Sequence, residues 1–343
     1  MMRGRECYES FMARVIGVDV GGTKVAAGLV DETGAILAEH RAPMAANGSA
    51  EQGLAAVAGA IDALLRQSPP GSLAGIGICA PGPLDPSTGV VLNPPNVPCW
   101  RNFPLLDQVA KIYGVPVKVD NDANAAALAE TLWGAGRGYR HVFLATIGTG
   151  IGTGIVFDGR IYHGRTGAAG EGGHMSVDYR GPACACGKPG CIEVLASGSA
   201  IAKRARAKLA AQPNPNSCLL KLAGGEIDRV SSEMVGKAYA AGDPVAGETI
   251  HETLQLLALW LSNVVDLLDP DVLIMGGGAS CLLQPLFADL RAQLADFCVN
   301  PRSSEIPLVI ARYGAEAGIA GGAALCFADL TPETAETGPS LRR

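Results

Sequence analysis

The chain has 343 residues, 48% hydrophobic and only 17% charged, with a formal net charge of −6. This composition supports a large buried core and excludes extended disorder, and the acidic balance argues against a nucleic-acid partner. No apolar run reaches the length of a membrane span, and the ten cysteines show no disulfide framework, so a cytoplasmic protein with no membrane partner is expected.

Residues 1–13 mix Arg, Glu and Ser without an apolar core and read as a loose extension, not a signal peptide. Arg14 to Val20 is apolar and β-branched, Gly21-Gly22-Thr23-Lys24 turns, and Val25 to Val30 returns, which predicts a hairpin; Ala35 to His40 predicts a third strand. Helical spacing over Ala50 to Arg66 stops before Ser68-Pro69-Pro70-Gly71. A buried strand follows at Leu73 to Cys79, then a Pro- and Asn-rich loop at Asn93 to Pro98. A helix near Leu105 to Tyr113, a strand at Val115 to Asp120 and a helix at Asn121 to Trp133 complete the half.

The pattern then restarts. Strands are predicted at His141 to Ile147, Gly152 to Phe157 and Arg160 to Tyr162, and helices at Gly198 to Ala210, Ser231 to Ala241 and Pro244 to Leu268. A short strand at Val272 to Met275, one helix from Ala279 to Phe297, a strand at Pro307 to Ala311 and a helix at Glu316 to Ala328 close the series. Two successive units that each open with an antiparallel meander and then alternate β and α predict a duplicated α/β fold. The expected lobes are 14–122, with the 316–328 helix packing back on it, and 123–315, which carries the loop 174–193; residues 329–343 read as a polar tail.

Residues 174 to 193 read His-x9-Cys-x-Cys-x4-Cys-x-Glu, which brings His174, Cys184, Cys186 and Cys191 within eighteen residues. Four soft or borderline ligands on a tight loop suit a structural zinc ion, with no vacancy for a catalytic water. The bland alternative is three incidental cysteines on a reduced loop. Glu171 and Glu193 flank the ligands, so a metal would fix two carboxylates and one imidazole around a small volume, as a polyol site needs. Solvated surface glutamates are the competing reading.

Three glycine runs stand at strand ends: Gly21-Gly22-Thr23-Lys24, Thr146-Ile-Gly148-Thr149-Gly150 and Gly276-Gly277-Gly278. Glycine lets backbone N–H groups approach phosphate, with Thr23, Thr146, Thr149 and Lys24 as further donors, although each run alone is ordinary hairpin chemistry. The first two occupy matching places in the two halves and are expected to face one cleft. Asp19, at the mouth of the first turn, is placed to hold Mg2+ against phosphates, or else bonds its own turn. Asp122 opens a predicted helix, whose dipole is expected to keep it ionised as a proton acceptor for a hydroxyl attacking phosphorus; N-capping by Asn121 or Asp122 is the alternative. Gly-x4-Gly-Lys-Ser/Thr is absent, and Gly75-Ile-Gly77-Ile-Cys-Ala80 lies within a strand, so neither a P-loop nor a dinucleotide turn is expected.

Together, Asp19 to Lys24, Val119 to Ala127, Thr146 to Gly150, Gly170-Glu-Gly-Gly-His174, Cys184-x-Cys-Gly-x2-Gly-Cys-x-Glu193 and Gly276 to Gly278 resemble the ROK (repressor, ORF, kinase) sugar kinases, in order over about residues 14 to 328. The resemblance implies the actin-like, hexokinase-type ATPase fold, with ribonuclease H-like lobes flanking an active-site cleft. It implies ATP, Mg2+ and zinc as cofactors, a sugar as partner and a homodimer. It makes Asp122 the catalytic base, gives Asn121, Glu171, His174 and Glu193 to the sugar, and gives His174, Cys184, Cys186 and Cys191 to zinc. Glucose is the expected acceptor, with N-acetylglucosamine, N-acetylmannosamine or fructose as alternatives and a non-catalytic sugar sensor as the reading from another class. The repressors of the family carry a DNA-reading domain ahead of this body, for which the dozen residues before the first strand are too few.

Overall fold

The computed structural model of the protein describes residues 13–67, 73–212 and 217–330. The expected extension up to residue 12, the helix stop at Ser68 to Gly71 and the tail beyond 330 lie outside them. The chain divides into two compact units: one runs to Ala125 and resumes at Gly318, and the other is Ala126–Ala317.

In the first unit β1 (Arg14–Val20), β2 (Lys24–Asp31) and β3 (Ile36–Pro43) form the antiparallel meander. Then come α1 (Ala50–Gln67), β4 (Leu73–Ala80), the two-residue strands β5 (Leu84–Asp85), β6 (Val90–Val91) and β7 (Phe103–Pro104), α2 (Leu105–Tyr113), β8 (Val117–Asn121) and α3 (Asp122–Trp133). The main sheet is ordered β3-β2-β1-β4-β8, with β4 parallel to both β1 and β8. β1 and β4 are continuous apolar runs because both of their faces are covered. The β5-β6-β7 sheet was not expected: two-residue strands have no periodicity to read.

In the second unit β9 (His141–Ile147), β10 (Ile151–Phe157) and β11 (Arg160–Ile161) make the second meander. α4 (Ile192–Ala196), α5 (Gly198–Ala210), α6 (Cys218–Leu222), α7 (Ser232–Ala240), α8 (Pro244–Leu268), β12 (Val272–Gly276), α9 (Gly278–Leu283), α10 (Phe287–Phe297) and β13 (Leu308–Ile310) follow, and α11 (Ala317–Leu330) returns to the first unit. The sheet order β11-β10-β9-β12-β13 repeats that of the first unit, so the duplication is topological as well as a matter of pattern. β1 and β9 share one burial sequence over seven residues, with only the first and sixth positions partly exposed. Phe143, Ala145 and Ile147 of β9 enter the large core with Trp260 of α8, while Val142 and Leu144 point to the opposite face with Ala126 and Ala127 of α3.

The single helix expected from Ala279 to Phe297 is two. Pro285 lacks an N–H for the helical ladder, and a 3-10 turn over Gln284–Leu286 separates α9 from α10. Glycine decides how α11 seats on the first sheet. A Cβ at Gly17 would strike the Ile319 carbonyl, one at Gly77 the Gly322 carbonyl, and one at Gly322 the Gly77 carbonyl. Strand and helix backbones therefore touch directly, and Gly77 serves packing inside β4 instead of a cofactor turn. The nine described cysteines are all free, and no described helix is long and apolar enough to cross a membrane.

Candidate functional site

The second unit gathers the metal-ligand set. His174 ends a 3-10 turn over Gly172–His174, Cys191 immediately precedes α4, and the loop between them carries the other two thiols. Backbone bonds from Cys184 N–H to the Lys188 carbonyl (2.9 Å) and from Gly187 N–H to the Cys184 carbonyl (3.0 Å) close the knot. Gly187 and Gly190 supply left-handed backbone at φ 92° and 61°. The four ligand atoms lie within 4.8 Å of one another, with His174 Nδ1 3.5 Å from Cys184 Sγ and Cys186 Sγ 3.6 Å from Cys191 Sγ. Zinc–sulfur bonds of about 2.3 Å and zinc–nitrogen bonds of about 2.0 Å give tetrahedral edges of about 3.8 Å between sulfurs and about 3.5 Å from sulfur to nitrogen. The donors therefore fit zinc in both chemistry and spacing. Burial pushes the Cys191 thiol up to about 12, so a thiolate there requires a cation beside it. Since Nδ1 faces the sulfurs, Nε2 is the ring nitrogen left for another partner.

Two residues that the sequence did not single out hold the Glu171–His174 segment. Thr153 Oγ1 in β10 accepts from the Gly172 N–H at 2.8 Å and donates to the Gly170 carbonyl. The indole N–H of Trp260 donates to the Gly172 carbonyl at 3.1 Å. Gly173 lies against β10 so closely that a Cβ would strike the Ile151 carbonyl. The Glu171 side chain is left exposed at the end of this braced segment.

Glu193 sits in α4, two residues past the last metal ligand, and its Oε2 accepts from the Ile151 N–H at 2.9 Å. The Gly148 carbonyl accepts from the Gly198 N–H at the start of α5, 2.8 Å away. Beside this turn opens a recess of about 1080 Å³, lined by Gly148 and Thr149, by the start of α5, by Gly236 and Lys237 of α7 and by Gly278 of α9. Two of the three glycine runs thus meet at one cavity. Thr146 and Gly276 are not among its lining residues: Thr146 Oγ1 donates to the Gly152 carbonyl at 3.3 Å, and Gly276 is buried opposite Thr146 in the parallel register. Gly277 links strand to helix at φ 83°, where a Cβ would crowd the Ile147 carbonyl. Lys237 pairs with Glu233 at 2.6 Å on the α7 wall. The contributions of α5 and α7 went unread because exposed helix positions carry no motif.

In the first unit, Asp19 and Asn121 stand near the carboxyl ends of β1 and β8, either side of β4, and Asp122 follows as the first residue of α3. Asn121 is the cap: its Oδ1 accepts from the Ala123 and Asn124 N–H groups at 2.9 and 3.4 Å. Asp122 also accepts from the Ala123 N–H, at 2.8 Å. The helix end favours the ionised form, as expected, but tertiary surroundings act against it. The side chain is open to solvent, yet the protein atoms crowded around it raise its carboxyl above the ordinary range, and the helix-end N–H groups offset this only in part. Burial likewise raises Asp19, and the charge of Asp122 adds to the rise, against the pull of Lys24 and Arg41. Gly318 leaves the space that the Asp19 carboxylate fills. In the first turn the Gly21 N–H donates to the Lys24 carbonyl at 2.9 Å, and Thr23 and Lys24 are exposed. A Cβ on Gly22 would come within 2.7 Å of the Asn96 carbonyl, in the loop between Asn93 and Pro98.

Residues 15–328 match the ROK family. A glucokinase of Streptomyces coelicolor is 35% identical over 318 residues, covering 92% of this chain and 98% of its own. An N-acetylmannosamine kinase of Escherichia fergusonii is 30% identical, over 90% of this chain and 97% of its own. A ROK family glucokinase from Streptomyces griseus, solved with glucose and AMPPNP, superposes with a TM-score of 0.76 at 36% identity, over 91% of this chain and 99% of its own.

Proposed function

We propose that this chain, which belongs to the ROK family and is a sugar phosphotransferase, moves the γ-phosphoryl group of ATP to the 6-hydroxyl of glucose. The observation that carries the reading is Asp122, an accessible carboxylate of raised pKa, in a chain similar to a glucokinase solved with glucose and AMPPNP. A base whose pKa lies nearer neutrality takes a hydroxyl proton with less uphill cost than an ordinary aspartate does. In this reading Asp122 accepts the 6-hydroxyl proton as the oxygen attacks phosphorus.

The recess of the second unit takes the nucleoside, and the amides of the Thr149 turn and of Gly278 meet phosphate oxygens. Thr23 and Lys24 meet phosphate from the first turn. Asp19 is the carboxylate that would hold Mg2+, which when bound would supply positive charge against the phosphates. Because the cap uses its Oδ1, Asn121 offers the sugar its amide hydrogens. Glu171 and Glu193 accept from sugar hydroxyls, and His174 donates from Nε2. His174, Cys184, Cys186 and Cys191 would hold zinc, which would brace the loop that orients these three. A cytoplasmic homodimer belongs to the same proposal.

The second reading, an N-acetylhexosamine kinase, draws on the similarity to an N-acetylmannosamine kinase. One assay separates the two: kcat/KM for glucose, fructose, N-acetylglucosamine and N-acetylmannosamine, followed by ADP release. Glucose should lead by at least about tenfold, the ratio that a single misfitting group in a pocket produces. A 2-acetamido sugar in first place transfers the reading to the alternative, and no turnover with any sugar removes the kinase assignment.

A further inference from the structure

One oxygen of the Glu193 carboxylate is bonded to the main chain of a neighbouring turn. Oε2 accepts from the Ile151 N–H at 2.9 Å. Ile151 is the first residue of β10, directly after the Gly148–Gly150 turn, and it pairs with Ile147 across that turn. The place where a Gly150 side chain would stand is filled by the Glu193 carboxylate, which a Cβ there would strike. Five residues after Glu193, at the start of α5, the Gly198 N–H donates to the Gly148 carbonyl at 2.8 Å. The turn is thus held from both ends by one short stretch, residues 193 to 198. That stretch begins at the metal loop: Cys191 is the N-terminal cap position of α4, and the Ile192 N–H donates to the Met175 carbonyl, 2.9 Å away and next to His174.

We infer that Glu193 is a positioning residue for the nucleotide as well as a sugar ligand. Its Oε2 fixes the turn whose Gly148 and Thr149 line the nucleoside recess, and the metal loop sets the position of Glu193 through α4. The inference rests on the reading that this turn receives phosphate. It adds a consequence that sugar binding alone does not have: altering Glu193 weakens nucleotide binding when no sugar is present. A backbone N–H held by a carboxylate is among the stronger single hydrogen bonds, so its loss frees the turn to sample conformations that do not bind phosphate.

The test is calorimetric binding of AMPPNP with Mg2+ to the zinc-loaded protein in the absence of sugar. Glu193→Ala should weaken binding by about tenfold while zinc content stays stoichiometric. Glu193→Gln keeps an amide oxygen at the same reach and should bind AMPPNP within about twofold of wild type, although its glucose KM rises. Glu193→Asp keeps the charge but is one methylene short of Ile151, and it should weaken AMPPNP as Ala does. If Glu193→Ala fails to fold or to retain zinc, the order of the Gln and Asp variants decides, and Asp binding as tightly as Gln overturns the inference. Wild-type AMPPNP affinity in Glu193→Ala, with only the sugar KM raised, also overturns it. Failure of wild-type protein itself to bind AMPPNP would instead strike the underlying reading of the recess, a different result from any variant difference.

Discussion

Replacing Gly77 and Gly59 by alanine sets one chemical change in two surroundings, and the structure gives opposite signs. Gly77 lies in β4 beneath α11, and a Cβ there would overlap the Gly322 carbonyl, which belongs to the rigid backbone of a helix. Overpacking a core costs about 1–3 kcal/mol when side chains can move aside, so backbone against backbone belongs at or beyond about 3 kcal/mol. Gly59 lies in the exposed part of α1, where a Cβ would have nothing within 4 Å. There alanine restricts the unfolded chain and should add about 0.5–1 kcal/mol. The assay is urea unfolding followed by far-UV circular dichroism. With a slope of about 1–3 kcal/mol per molar urea, Gly77→Ala should lower the midpoint by about 1 M or more and Gly59→Ala should raise it by a few tenths. Gly77→Ala with a midpoint at or above wild type would refute the direct contact of strand and helix, and a Gly59→Ala protein less stable than wild type would refute the openness of that helix face.

Other perturbations test the site. Asp122→Asn should cut kcat by about a thousandfold or more while glucose KM stays within a few-fold, and near-normal turnover would remove Asp122 as base. Since the folded protein raises this carboxyl, its protonated form is favoured by folding, and the stability it lends is complete below the ordinary aspartate range and lost as pH rises through the raised value. Asp122→Asn should therefore unfold at a higher temperature than wild type at neutral pH and lose that advantage in acid; for the same reason, the acid limb of wild-type kcat/KM should lie above the ordinary aspartate value of about 3.9. Cys186→Ser should lose bound zinc, read by elemental analysis, and raise glucose KM roughly tenfold; loss of zinc with an unchanged KM would separate the metal from the sugar. Trp260→Phe removes one of the two donors to the Gly172 carbonyl and leaves it the Met175 N–H, a loss of about 0.5–1.5 kcal/mol, and should raise glucose KM together with a lower unfolding temperature; a lower temperature alone would make the indole bond purely structural.

Much of the fold was legible because local chemistry and tertiary outcome agree. The ends of β1, β9, α2, α5 and α8 fall where apolar period, caps and turns put them. Asp243, for instance, accepts from the Ala246 N–H ahead of Pro244 to start α8, as a capping aspartate should. The metal cluster was legible because chelation demands particular residue types at short spacing. Thr153 and Trp260 were not, since each acts on a backbone group far along the chain and neither residue type is unusual in a strand or a helix. The crowding that raises the Asp122 carboxyl was not legible for the same reason: the helix end that lowers it is local and visible in sequence, whereas the crowding is assembled by tertiary structure.

The sixth residue of the first strand is partly exposed in both halves, and it is Asp19 in one and Thr146 in the other. The two halves therefore carry different chemistry at one matched position, a carboxylate at the end of β1 and a hydroxyl at the end of β9. A shared backbone pattern thus sets where a side chain emerges, while the residue placed there decides whether that strand end offers a charge or a neutral donor.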